Sequence, residues 1–103
     1  MSEITDQLDK TKVNLETSQI PWIELQRFFA SGLAIAVCSE LDLIEVAYQF
    51  SKDNKSIVAQ WLKDKQIGHV SDQQAIDWLA QQRDVWAVVV KPWVLVQLAN
   101  NNS

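Results

Sequence analysis

The C-terminal part of the chain carries the strongest hydrophobic signal, a nearly unbroken apolar run from Trp86 to Leu98 whose only charged residue is Lys91. Most of its residues are β-branched or aromatic, which favours strands, and the missing polar alternation indicates that both faces are covered. One straight strand of this length would measure about 43 Å at about 3.3 Å per residue. A compact domain of about 100 residues cannot cover such a strand, so the run must bend or turn.

Pro92 is the best-placed residue for that bend. A two-residue hairpin would put this proline at the third turn position, which is disfavoured unless its peptide bond is cis, so we expect a kink or bulge on an edge strand. Beyond it, Trp93, Leu95 and Gln97 would share one face. Together with unpaired edge backbone, that face would form a surface for another subunit. We therefore predict that the half before Pro92 belongs to the core and the half after it contacts a partner.

Helical spacing dominates the rest of the chain. Residues 1–20 are polar with apolar positions that can share one face, which predicts an N-terminal polar helix. A second helix begins at Pro21 and ends at Gly32. Residues 33–38 are continuously apolar with alternating large and small side chains, which predicts a strand. The face that would admit close packing consists of Ala34, Ala36 and Cys38.

Capping residues mark three further helices. Ser39 and Asp42 have a capping-box-like spacing before the first, Asp53 or Asn54 caps the second, and Ser71 caps the third. The apolar positions that follow the caps at helical spacing are Leu43, Val46, Ala47 and Phe50, then Ile57, Val58, Trp61 and Leu62, then Ala75, Trp78 and Leu79.

These elements predict an α+β fold, a single small domain spanning residues 1–103 with four to five helices packed against a small, mostly antiparallel sheet. Gly68 ends the second of the capped helices, and a short extended piece around His69 and Val70 follows. We expect residues 99–103 to be a disordered tail. The length of 103 residues leaves room for one domain, and a hydrophobic content of 48% argues against a disordered chain.

Charge and cysteine content indicate which partners are disfavoured and in which cellular compartment the protein is expected. A net charge of −4 disfavours nucleic acid and anionic membranes as partners, and Lys91 and Pro92 divide the longest apolar run before it reaches the roughly 18 residues that a membrane span needs. The lone Cys38 cannot form an internal disulfide, and the N-terminus lacks a signal-peptide pattern. We therefore expect a cytoplasmic protein.

A helix-turn-helix-like pattern over residues 43–65 is an alternative to the partner surface. Its second helix would present Lys55 and Lys63 to nucleic acid. This second helix has no arginine that could form a bidentate hydrogen bond with guanine. Two amphipathic helices joined by a short turn are also common in small domains. We regard nucleic-acid binding as the less favoured interpretation.

Enzymatic motifs are missing from the sequence. His69 has Ser71 and Asp72 nearby, but that spacing matches no catalytic triad or metal motif. Cys38 lies among small apolar residues, a setting typical of an inert core thiol. We therefore predict no catalytic residues, no metal site and no cofactor, and keep an uncharacterised enzyme as the second alternative.

Several segments together resemble a known family: residues 14–17, 20–22, 41–47 and 70–72, and above all the tail with Pro92 and Trp93. The chain is similar to a family of small bacterial proteins of unknown function over nearly its whole length. The resemblance implies a bacterial, cytoplasmic, single-domain protein and supplies no functional residues. Our leading interpretation is therefore a non-enzymatic structural or protein-interaction module that forms a homodimer through its C-terminal strand region, with no biochemical activity assigned.

Overall fold

A computed structural model describes residues 17–99, in which five strands form one sheet with helices on both faces. The α+β class and the single compact domain predicted from sequence are confirmed for these residues. In chain order the elements are β1 (Ser18–Pro21), a 3-10 helix (Trp22–Leu25), α1 (Gln26–Ala30), β2 (Ala34–Val37), α2 (Leu43–Ser51), α3 (Lys55–Lys63), β3 (Ile67–His69), α4 (Asp72–Ala80), β4 (Asp84–Val90) and β5 (Trp93–Leu98).

The sheet has the strand order β1-β4-β5-β2-β3, with β5 at its centre. Strand β5 pairs antiparallel with β4 and parallel with β2, and the remaining two pairings are antiparallel. The prediction that residues 93–98 form an edge strand is therefore wrong. Val90 pairs with Trp93, and the Lys91–Pro92 peptide is cis, so β4 and β5 form a two-residue hairpin in place of the expected kink.

Two helical layers cover the sheet, each over its own apolar cluster. The α2–α3 layer covers one face, where the buried residues are Ile35, Val37, Leu43, Val46, Ala47, Trp61, Ile67, Val88 and Leu95. The α4 layer, made of the 3-10 helix, α1 and α4, covers the other face, where the buried residues are Trp22, Leu25, Ala34, Val70, Ala75, Trp78, Val85, Ala87, Val94 and Val96. The small-residue face of β2 thus lies on the α4 side.

Strand β5 is buried on both faces by the chain's own helices. Leu95 is 0% exposed and faces the α2–α3 layer, whereas Val94 and Val96, at 1% and 0%, face the α4 layer. The placement of Leu95 on a partner surface is therefore wrong. A central strand between two helical layers needs apolar side chains in both directions, which is why its sequence lacks polar alternation.

The predicted caps at Asn54 and Ser71 are confirmed, whereas in the first of the three helices the N-cap is Asp42 itself and not Ser39, three residues earlier. Asp42 accepts a hydrogen bond from the Ile44 N–H, Asn54 accepts one from the Ile57 N–H, and Ser71 forms a capping box with Gln74. Their apolar stripes consequently face the sheet.

The ends of several elements differ from the predictions. Helix α3 ends at Lys63 and Lys65 takes a positive φ of 60°, so Gly68 lies inside β3 and does not end the helix. Pro21 ends β1, ahead of the 3-10 helix. The helix predicted over residues 1–20 lies mostly outside the described residues, and its last positions belong to β1. Ala99, placed in a disordered tail, is 2% exposed; residues 100–103 lie outside the described part.

Candidate functional site

Strand β3 leaves one side of its backbone open. The Val70 N–H donates to the Ala34 carbonyl at 3.1 Å, and alternate residues of an antiparallel strand point their backbone groups at the same neighbour. Gly68 therefore turns its N–H and C=O toward β2, while Ile67 and His69 turn theirs away from the sheet. Within residues 17–99 no strand pairs with that side.

The opposite edge of the sheet, β1, is less receptive to another strand. The Trp22 N–H donates to the Arg83 carbonyl at 3.0 Å, so the same alternation turns Pro21 and Gln19 outward. Proline has no N–H to donate, and it is a common way of blunting an edge strand. Of the two edges, β3 is therefore the one with complete donor and acceptor pairs.

A cleft on the α2–α3 side borders the open edge. It lies between β3, the turn that joins α2 to α3, and the β4–β5 hairpin, and its volume is about 600 Å³. We call it the β3 cleft. Its apolar lining includes Ile35, Phe50, Val58, Leu62, Ile67 and Trp93. Its polar rim includes Asp53, Lys55, His69 and Lys91.

The β3 cleft brings together residues that the sequence singled out for three different reasons. The sequence predicts a partner contact for Trp93 and, in the alternative interpretation, a nucleic-acid contact for Lys55. His69 is the only histidine of the chain and was weighed as a catalytic residue. The sequence could not join them, because they come from a hairpin end, a helix start and an edge strand that meet only in the folded sheet. Lys63 does not line the cleft.

Gln97, predicted to contact a partner, makes hydrogen bonds within the chain instead. Its Nε2 donates to the Cys38 carbonyl at 2.8 Å and to the Leu41 carbonyl at 2.7 Å. These bonds fix the connection between β2 and α2 over the end of β5. Gln97 therefore serves the fold and is not a free contact group.

The polar side chains of the cleft include an imidazole, two ammonium groups and a carboxylate. The His69 ring makes an edge-to-face contact with the Trp93 ring, with 6.1 Å between centroids, and among the described residues no carboxylate bonds to it. Asp53 and Lys55 form an exposed ion pair with an oxygen-to-nitrogen distance of 4.0 Å. No group of three or more potential metal ligands occurs in residues 17–99.

Helices α2 and α3 form the predicted helix pair, joined by residues 52–54. The outward side of α3 is solvent-exposed and comprises Asn54, Lys55, Ser56, Ala59, Gln60 and Lys63. The Lys55 charge is accompanied by that of Asp53, and the Gln60 amide donates to Asp64 at 3.0 Å. Nucleic-acid binding through Lys55 and Lys63 stays an untested hypothesis.

Cys38 directly follows β2 and borders the opposite face of the sheet from the β3 cleft. It is half-buried and lines a second cleft of about 590 Å³, on the α4 side, where Ala36 and Gly68 leave space on the sheet surface. The sequence analysis did not identify β3 as an edge strand, although a glycine inside a short strand is a usable signal. Such a residue commonly marks a place where something approaches the strand closely, and Gly68 has no positive φ that would require it.

None of the described helices has the length and apolarity that crossing a membrane requires. The fold is similar to the NMR solution structure of PA1075 from Pseudomonas aeruginosa, with a TM-score of 0.79 and 38% sequence identity over 96% of this chain and 90% of that chain. No curated protein matches the chain. The family described as "Protein of unknown function (DUF2288)" matches residues 9–98, and the chain belongs to that family.

Proposed function

We propose that this protein is a non-enzymatic protein-interaction module that forms a homodimer by pairing the β3 edges of two copies. The single observation behind the proposal is that Ile67 and His69 turn complete donor and acceptor pairs away from the sheet. An extended edge with unpaired backbone is a template for another strand. The proposal moves the self-association predicted from sequence from β5 to β3.

The register of such a pairing follows from the alternation along β3. A two-fold axis at Gly68 would place Ile67 of one copy opposite His69 of the second copy, and the reverse. Both residues face outward, so each pair would exchange two backbone hydrogen bonds. A symmetric arrangement of this kind closes on itself, as a dimer requires.

The residues that flank β3 support an antiparallel encounter. Lys65 precedes the strand and Asp72 follows it, and both are exposed. Antiparallel pairing would bring Lys65 of one copy toward Asp72 of the other, which places opposite charges together twice in the dimer. Leu62, 49% exposed beside the edge, would lose part of its contact with water.

A disulfide cross-link tests both the pairing and its register. In a Cys38→Ala background, Gly68→Cys would place two thiols on the two-fold axis, at a non-hydrogen-bonded position where Cα atoms of antiparallel strands are about 4.5 Å apart. That distance suits a disulfide, so mild oxidation should give a covalent dimer. Light scattering should give twice the monomer mass for the unmodified chain at micromolar concentration.

The matched control is Ser18→Cys in the same background, an exposed strand residue on β1 at the far edge of the sheet. It should remain monomeric after oxidation on denaturing gels. A monomeric mass for the unmodified chain, or equal cross-linking of the two cysteine variants, would contradict the proposal. In the cytoplasm that we also propose, Cys38 stays reduced and β3 pairing needs no disulfide.

A further inference from the structure

The β3 cleft has the dimensions of a small-molecule site. Its volume of about 600 Å³ lies inside the range of roughly 300 to 1,000 Å³ that is usual for ligand pockets. Phe50, Val58, Leu62 and Trp93 supply aliphatic and aromatic wall surface from α2, α3 and β5. An apolar body of modest size would therefore be removed from water on several sides.

The mouth of the cleft carries positive charge in an acidic protein. The charged residues there are Lys55, Lys91 and Asp53, which gives a local net charge of +1 in a chain whose net charge is −4. Lys55 is 4.0 Å from Asp53, so these two charges largely offset each other. Lys91 has no ion-pair or hydrogen-bond partner within the described residues, and its ammonium remains available at the hairpin end of the cleft.

From this combination we infer that the β3 cleft binds a small amphipathic monoanion, a carboxylate with an aliphatic or aromatic body. The apolar body would lie against Val58 and Trp93, and the carboxylate would accept a hydrogen bond from the Lys91 ammonium. A doubly charged phosphate fits less well, because its second charge would meet Asp53. The inference is independent of self-association, since the lining comes from one copy.

Decanoate and decylammonium test the inference, because they share an apolar chain and differ in the sign of the head group. Isothermal titration, with both probes below their micelle concentrations, should give saturable decanoate binding that is at least about tenfold tighter than that of decylammonium, the ratio expected from one charge-assisted hydrogen bond. Two-dimensional NMR of the same samples should show that decanoate shifts the Trp93 indole signal.

Two matched variants locate the head group. Lys91→Glu reverses the charge at the cleft mouth and should weaken decanoate binding at least about tenfold. Lys63→Glu makes the same charge change on α3 at a residue that does not line the cleft, and it should leave the affinity within about twofold. Both lysines are exposed, so neither change disturbs the core.

Ala59→Trp provides a test that does not depend on charge. Ala59 is an exposed residue of α3 that lines the cleft, so a larger side chain can occupy the cleft without repacking the interior, and decanoate binding should be lost. Equal affinity for the two probes, unchanged binding by Lys91→Glu or Ala59→Trp, or no saturable decanoate binding would each overturn the inference.

Discussion

Strands β5 and β3 flank β2 on its two sides and have opposite characters. Strand β5 has six residues, a neighbour on each side, and Val94, Leu95 and Val96 are at most 1% exposed. Strand β3 has three residues, one neighbour, and a glycine and a histidine among them. The strand that looks most in need of a partner is the one whose central residues the fold buries on both faces.

The contrast follows from the layers of the domain. A strand in the middle of a sheet between two helical layers must be apolar on both faces, so two-sided apolarity indicates a central position before it indicates a partner. An edge strand loses one neighbour and part of its cover, and it can be short and polar. The place to look for contacts with other molecules is therefore β3.

The largest expected effect is at the centre of the sheet. Leu95→Asp would bury a carboxylate with no compensating partner, and we expect the free energy of unfolding to fall by more than about 4 kcal/mol. Urea denaturation followed by tryptophan fluorescence measures the loss. Val89→Asp, the same kind of change on β4 at a residue that is 53% exposed, should cost less than about 1 kcal/mol. Similar losses for the two variants would contradict the central position of β5.

Proline substitutions on β3 distinguish the N–H that bonds to β2 from the N–H that points outward. Gly68→Pro would remove the N–H that points at β2, and we expect a loss of about 2 to 3 kcal/mol in unfolding free energy, from a broken ladder bond and the constraint on the backbone. His69→Pro would remove an N–H that points outward, where edge strands tolerate proline. It should cost less stability than Gly68→Pro while abolishing the dimer in light scattering. A dimer that survives His69→Pro would count against β3 pairing.

Local structure could be predicted well from the sequence. The caps at Asn54 and Ser71 depend on hydrogen bonds within four residues, and a left-handed conformation at Gly32 ends α1, with a φ of 74°. The alternation of β2 placed its small residues on one face because side chains of a strand alternate whatever lies around it.

The strand order could not be predicted in the same way. It depends on contacts between residues far apart in sequence, such as the parallel pairing of Ile35 with Leu95. Local rules allowed both a kink and a hairpin at Pro92 and favoured the kink, which led to the wrong edge. The candidate site was missed for the same reason, since His69, Lys55 and Trp93 converge only once β3, α3 and β5 are assembled.

The smallest expected effect is at Gln97, and Gln19 is its control. Both glutamines pair with Trp86, one from each neighbouring strand, so their side chains lie on the same face of the sheet. Gln97→Met would keep the side-chain volume but leave the Leu41 carbonyl without the amide that reaches it at 2.7 Å. We expect a loss of about 1 to 2 kcal/mol in chemical denaturation. Gln19→Met, at an exposed residue, should stay within about 0.5 kcal/mol. Equal effects would mean that the amide of Gln97 contributes nothing specific. Its bonds to the β2–α2 connection would then no longer explain why the central, otherwise apolar strand has a polar residue next to its last position.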